Sequence, residues 1–577
     1  NYQLHRRTAA MWEAACSSCC ETEEVGQSAI HDRATEEYFP SSAGFDFAPD
    51  EEHFSSRERC DIAPNGDEEV VDKSGAGERL EMSGSISDDL SMRRRSLASH
   101  LSSMAAVSTS PTHMKNMLDP DLTLLRGIPL SSTLQCGASV WRYCPETSTT
   151  EQRMALYNRS KPVEQLDVFV SHTWWTPGWQ KAIALYLQSM AWRYIAFWVL
   201  MMFIFFPLTV QGHLPALVVQ EADLGDFQEL CPWGCWIFVA GIVGPILLSC
   251  ITLQLPSSCL RSPLCFVDVA CIHQEDPSLM ARGVRGIGGF LAVSSELRIL
   301  WSPPYLSRLW CIFELGAFRI ANPTGKVTLS PLFVELAVVH VWLFLVVANV
   351  ILYTLRFVLT NLTLVIYMMA LIPLPFGLHV LRKNLAAKRR LVKDLQQFDF
   401  STVTSYSETD RDFIQSAIAE WYGSEEAFTE YVQGPLRDEL LADILTVTLR
   451  LPYLLLLTTA MLSRSFEMLA ALVQAEAPRD VIFSWCVGML LGSNAVWVAL
   501  CAYIGLHTAD RFAEAVWSNT ICDCLQTLAM SAVLAASMII PARIGDTVVR
   551  LGPLASCAWA GLGLTLMGLF LRGRCRL

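Results

Sequence analysis

The sequence predicts an α/β domain with a parallel sheet, interrupted by membrane hairpins and joined to an α-helical transmembrane bundle of about eight helices. Three observations carry this expectation. Short continuous runs rich in β-branched and aromatic residues, DVFV at Asp167–Val170, CFVDVA at Cys265–Ala270 and LRILW at Leu297–Trp301, each end in a polar or proline-containing loop and lead into helical periodicity. Runs of that kind suit strands buried on both faces, and strand–loop–helix repetition argues a parallel sheet. Uncharged apolar stretches long enough to cross a bilayer recur through the rest of the chain, where a span needs about 20 residues. Composition agrees: 52% of the 577 residues are hydrophobic, 17% are charged, and mean hydropathy is +0.33.

The net charge of −13 is local rather than global. Residues 1–125 hold 23 acids against 11 bases, so the acidity belongs to that segment and the remainder is close to neutral. No basic surface suggests nucleic acid, and that partner class is set aside. The segment is rich in Ser, Asp, Glu and Gly and poor in clustered hydrophobes, so it is expected to be a disordered cytosolic tail. Within it, Cys16-Ser17-Ser18-Cys19-Cys20 is either an S-acylation cluster or a set of unmodified thiols. Arg93-Arg94-Arg95-Ser96 is either a basophilic kinase motif or a chance pattern. The 19 cysteines show no CxxC…CxxC zinc pattern and read mostly as small buried hydrophobes.

Residues 126–190 should open the α/β domain, with short helices and loops leading to the first strand. A first hairpin follows at 191–260. Tyr194–Gln220 and Leu230–Leu260 lack Asp, Glu, Lys and Arg, and the Glu221–Glu229 loop between them is acidic. Lys181 and Arg193 precede the pair and Arg261 follows it, which by the positive-inside bias puts the strands in the cytosol and the acidic loop outside. Cys231 and Cys235 are expected within a helix, or else in an outer disulfide. Residues 261–330 resume the domain, with a helix over Leu279–Val293. A second hairpin spans 331–381, Leu336–Leu355 and Phe357–Leu381, with Arg356 at its tip; Arg382, Lys383 and Lys388–Arg390 then mark the cytosolic side.

Residues 382–446 are expected to complete the domain, with Phe398–Val403 as a late strand and a helix carrying Phe413, Ile414, Ala417, Ile418 and Trp421 on one face. Ser407 or Thr409 is placed to cap that helix. Residues 447–577 should hold four further spans, near Thr448–Val473, Val481–Leu506, Cys524–Pro541 and Leu551–Leu571, with both chain ends cytosolic. Arg464 and Glu467 lie three apart and suit a same-face pair. Gly488 and Gly492 form a GxxxG spacing that lets helices approach.

Two boxes carry a family resemblance. Asp167-Val168-Phe169-Val170-Ser171-His172 resembles the first box of Toll/interleukin-1-receptor (TIR) domains. Leu300-Trp301-Ser302-Pro303-Pro304-Tyr305 followed by Leu309-Trp310-Cys311-Ile312-Phe313-Glu314-Leu315 resembles their later LSPxY and WCxxEL segment. The wording from SHTWW to FEL is similar to a group of multi-pass TIR-like membrane proteins of protists. The resemblance covers about a quarter of the chain. It implies a flavodoxin-like fold and signalling by homotypic self-association, by NAD cleavage, or by both, with NAD as substrate rather than resident cofactor.

The same resemblance makes Glu314 the catalytic candidate. An ionised carboxylate beside the ribose would stabilise the oxocarbenium-like charge that develops as the nicotinamide bond breaks. Ser171, His172, Thr173, Trp174 and Trp175, the loop after the first strand, would contact the ligand, with a tryptophan stacking on its ring. Asp268 and His273–Asp276 fall in the region that TIR domains use as an interaction loop, and Gln274–Arg285 is the expected self-association surface. Each residue also has a structural reading, in which Glu314 and His172 merely satisfy hydrogen bonds at the sheet end. His273, Glu275 and Asp276 lack a second ligand set for a metal. Gly283, Gly286, Gly288 and Gly289 lie in a helical stretch, so they fail the context of a dinucleotide fingerprint. A transporter or channel is the alternative function, with Glu335, His340, Arg464 and Glu467 lining a polar path.

Overall fold

The computed structural model describes residues 118–143, 148–255, 262–358, 363–405, 407–442, 450–514 and 520–573. The Cys16–Cys20 and Arg93–Ser96 motifs, Arg261 and the last four residues lie outside the described residues.

Six strands form one mixed sheet. They are β1 (Arg126–Pro129), β2 (Lys161–Pro162), β3 (Leu166–His172), β6 (Leu264–Phe266), β7 (Ser294–Trp301) and β8 (Lys326–Pro331), in the order β2-β1-β6-β3-β7-β8. The last four are parallel: Val168 sits between Cys265 on one side and Glu296 on the other, and Leu297 pairs with Val327. The three anticipated strands are therefore immediate neighbours, although a helical hairpin separates β3 from β6. Leu264 N–H donates to Asp167 Oδ2 at 2.7 Å and closes that junction.

Several elements depart from expectation. The second strand stops at Phe266, because Asp268 turns its own carboxylate onto Val269 N–H and starts a helical turn, Asp268–Cys271. The lead-in contributes strand β1, antiparallel to β6, with Ile128 fully buried opposite Cys265. Phe398–Val403 adds no strand. Asp399 instead accepts from Ser401 N–H and winds a 3₁₀ turn at Phe400–Thr402, and Thr404 makes a single bridge to Arg308. This segment completes the core rather than the sheet: Phe398, Phe400, Ile414, Ile418 and Trp421 pack into one apolar cluster with Phe169, Phe266 and Phe313. The helix Glu408–Tyr422 begins after Ser407, whose hydroxyl turns to Thr409 and leaves the cap unmade.

In chain order the long helices are α1 (Gly178–Val210), α2 (Trp236–Gln254), α3 (Leu332–Val358), α4 (Thr363–Ala370), α5 (Leu374–Gln396), α6 (Leu451–Gln474), α7 (Arg479–Arg511), α8 (Thr520–Leu551) and α9 (Pro553–Gly573). Eight spans are expected, and among the described residues seven helical segments are long and apolar enough to cross a membrane, counting α4 and α5 together across their turn at Leu371–Pro373; the described side chains of α9 make a shorter apolar helix. Within α7, Trp485–Trp497 is a π-helical stretch.

The acidic segment between α1 and α2 is a β-hairpin, β4 (Val218–Leu224) with β5 (Phe227–Trp233), turning at Gly225 with φ of +73°. Cys231 is a buried free thiol on β5 rather than a helical residue, and Cys235 is a free thiol ahead of α2. Gly488 and Gly492 do sit at a close contact, against Ser556 and Trp559 of α9.

The ionisable groups inside the bundle are held separately. Glu335 accepts from Gln188 at 3.0 Å and Tyr453 at 3.1 Å. Glu467 turns to the start of α2, where Ile237 and Phe238 N–H donate to it at 2.8 and 3.1 Å, in place of the expected pairing with Arg464. His340 Nδ1 lies 2.6 Å from the Leu336 carbonyl of its own helix.

Candidate functional site at the carboxyl ends of the parallel strands

Open parallel sheets leave their ligand crevice at the carboxyl ends of the strands. Here those ends are His172, Phe266 and Trp301, and the loops beyond them hold the buried Thr173, Thr176 and Ser302. Strand alternation decides how they divide, since successive side chains point to opposite faces.

Ser171 points to the face covered by the helix Leu309–Ala321. Its hydroxyl lies 2.6 Å from the Tyr305 hydroxyl and donates to Glu314 Oε2 at 2.5 Å. Burial pushes the Glu314 carboxyl up to about 8, an effect that the Ser171 hydrogen bond opposes and the Asp268 charge reinforces. Burial also drives the Tyr305 hydroxyl well above its ordinary value. At neutral pH Glu314 is thus mainly a neutral acid, whereas the sequence reading requires a carboxylate.

His172 points to the other face. Its Nδ1 is 3.4 Å from Lys181 Nζ and its Nε2 is 3.2 Å from Asp268 Oδ1, while Trp141 packs edge-on at 5.3 Å. Burial and then the Lys181 charge hold the imidazole below its usual value, so it is neutral at pH 7. Asp268 goes the other way: burial alone would raise it, but His172, the Trp174 indole N–H at 2.6 Å and Val269 N–H outweigh that and keep it an anion.

On the His172 face a cavity of about 230 Å³ opens, walled by Trp141, Tyr143, Trp174 and Trp175 and floored by His172 and Lys181. Gly178, the first residue of α1, also lines it, and a Cβ there would lie 1.6 Å from the Trp141 carbonyl oxygen. Gly178→Ala must therefore push the helix start away from Trp141 and reshape the cavity. The expected result is a loss of about 2 kcal/mol or more in stability, read by denaturant titration; a change within 0.5 kcal/mol would mean that the contact relaxes freely.

The six sequence-predicted site residues thus do not share one cleft. His172, Trp174 and Trp175 line the cavity, and the Arg308 guanidinium sits 4.4 Å above the Trp175 ring. Thr173 is buried and accepts from Trp175 N–H at 3.3 Å, shaping the loop. Ser171 and Glu314 pair with each other on the opposite face. Asp276 caps the helix Pro277–Arg285 by accepting from Ser278 and Leu279 N–H, and Arg282 pairs with Asp121 at 2.7 Å. Of the local acid–histidine cluster, His273 Nδ1 accepts from Asp276 N–H at 2.9 Å and Glu275 pairs with Arg153.

Lys181 and Asp268 complete the site, though neither stands out as a motif. The available signal for Lys181 was a single cation in the first turn of an otherwise apolar helix that begins just past a strand end. No known protein family, curated protein or solved structure matches the chain.

Proposed function

We propose that this chain is a multi-pass membrane protein whose cytosolic α/β part is a TIR-like, flavodoxin-like signalling module, and that occupancy of the strand-end cavity is passed into the membrane bundle. The observation that carries this reading is α1. Its first turn lines the cavity with Gly178 and Lys181, and the same helix continues for 33 residues into the apolar bundle. There Trp198 donates to Ser463 of α6 at 2.9 Å, and Gln188 reaches Glu335 of α3. A ligand that shifts the start of α1 acts directly on two other bundle helices.

Membrane insertion is supported by the bundle exterior. Phe203 is 75% exposed, Phe376 76% and Val533 71%, which suits contact with lipid rather than water. The basic residues Lys388–Arg390 lie on the part of α5 that packs into the α/β core, so the positive-inside bias places that core in the cytosol and the acidic β4–β5 hairpin outside. The bundle acts as anchor and transducer rather than as a pore, because Glu335, His340 and Glu467 are each tied to separate partners instead of forming a polar path.

NAD is the ligand that the TIR-like boxes suggest, and the enzymatic form of the proposal is NAD cleavage supported by Glu314. That role needs ionised Glu314. Nicotinamide release by the full chain in lipid nanodiscs should therefore rise with pH through about 8, the value to which burial lifts this carboxyl. A flat profile between pH 6 and 9 would remove Glu314 from the chemistry. The signalling proposal itself is tested by hydrogen exchange. NAD should slow exchange over the first turns of α1 and alter it in the β4–β5 hairpin; no change in either segment at saturating NAD would overturn it.

A further inference from the structure

The cavity holds a cation without an anion. Lys181 is 5% exposed and lines the cavity, and among the described residues its one hydrogen-bond partner is the neutral His172 ring at 3.4 Å. Among the described residues no carboxylate lies within ion-pair distance of its ammonium. Asp268 is the acid closest to hand, but it faces the far side of His172 and is already engaged by Trp174. A buried ammonium without a counter-charge is costly, and is retained where something negative joins it.

Two further features of the same cavity point the same way. Arg142 adds a second cation to the lining, its guanidinium donating to the Cys136 carbonyl at 3.3 Å. The N-terminus of α1 opens onto the cavity at Pro177 and Gly178, bringing the positive end of a 33-residue helix. The walls are aromatic: Tyr143 and Trp174 meet at 6.5 Å, and Trp174 and Trp175 are 42% and 54% exposed at the rim.

Resting on the reading of this cavity as the ligand site, we propose that it binds a small anion carrying one flat ring, with its phosphate or carboxylate on Lys181 and its ring against Trp174. The volume fixes the size class. About 230 Å³ falls below the roughly 300 Å³ at which drug-sized pockets begin, so the cavity itself seats one flat ring system with one anionic group, the size of a mononucleotide or smaller, as a free anion or as one end of a larger ligand such as NAD. His172, fixed between Lys181 and Asp268, holds the ammonium in place and is a positioning residue.

The experiment is calorimetric titration of the full chain in lipid nanodiscs. AMP and nicotinate are the phosphate and carboxylate probes, with adenosine and nicotinamide as their uncharged counterparts. AMP or nicotinate should bind at least tenfold more tightly than its counterpart, and whichever binds identifies the anionic group. Lys181→Met should weaken that binding by about tenfold to a hundredfold, the range for losing a charge-assisted hydrogen bond. Arg142→Gln changes an exposed side chain, keeps the protein testable should Lys181→Met fail to fold, and should cost severalfold. Equal affinity for charged and uncharged probes, unchanged binding in both variants, or no binding of either anion would overturn the proposal. If NAD binds and neither small anion does, this proposal falls while the signalling reading stands. If AMP or nicotinate binds without altering hydrogen exchange in α1 and the β4–β5 hairpin, the site stands and the signalling reading falls.

Discussion

Replacing Arg382 by methionine is expected to destabilise the protein by about 3 kcal/mol, in the range for breaking one side of a buried ion pair. The Arg382 side chain is 1% exposed, and Asp523 beside it is 8% exposed at 2.8 Å. The guanidinium also donates to the Phe512 carbonyl and the Thr527 hydroxyl, both at 2.6 Å, and so ties α5 to the end of α7 and to α8. Methionine fills similar volume but leaves Asp523 with only Lys383, a half-exposed partner at 3.0 Å. The Arg382→Met/Asp523→Asn double variant should recover much of the loss, since no uncompensated charge remains. Denaturant titration in mild detergent reads both. A single variant within 0.5 kcal/mol of the parent would show that water reaches this pair.

Glu314→Gln is expected to stabilise the protein, and to do so increasingly as pH rises. The carboxyl is raised by burial from 4.5 to about 8 in the folded chain, so between these values the folded state holds a proton that the unfolded state has lost. Its contribution to stability is complete below about pH 4.5 and is lost as pH climbs through about 8. Glutamine keeps an acceptor for the Ser171 hydroxyl and does not ionise. The variant should therefore gain on the order of 3 kcal/mol over the parent between pH 5 and pH 8, because each pH unit in that window is worth about 1.4 kcal/mol. Parallel stability–pH curves for the two proteins would show that Glu314 is well solvated. The same substitution should abolish any nicotinamide release that depends on the carboxylate, which separates the two roles of the side chain.

The strands legible in the sequence were those whose runs are mostly apolar. Val168, Phe169, Leu297 and Ile299 are all nearly fully buried, as continuous β-branched and aromatic runs require. β1 escaped because RGIP contains a glycine and a proline and looks like a turn; only its partners Lys161 and Cys265, farther along the chain, make it a strand. β8 escaped because KVTLSP runs without a break into α3. Phe398–Val403 carries strand composition, but its aromatic side chains serve the core from a 3₁₀ turn. At the site, residue types were legible and directions were not. Ser171 and His172 are consecutive on one strand, so a period of two must send them to opposite faces. Lys181 gave no motif, because its meaning comes from a missing partner, and that is a property of three dimensions.

The place of β3 and β6 has a biosynthetic consequence. Asp167 and Leu264 touch, yet they are 97 residues apart in the chain, and both helices α1 and α2 lie between them. On the ribosome the central strand emerges first and waits. Its neighbour arrives only after a complete apolar hairpin has been made, and the core helix Glu408–Tyr422 only after a second one. Long-range pairing of this kind is slow and leaves strand edges open while it waits. A nascent chain whose hairpin is misplaced carries β6 away with it, so the sheet cannot zip. Closure of the α/β core thereby reports that the first two apolar hairpins are in place, and quality control that recognises open strand edges would remove the chains that fail.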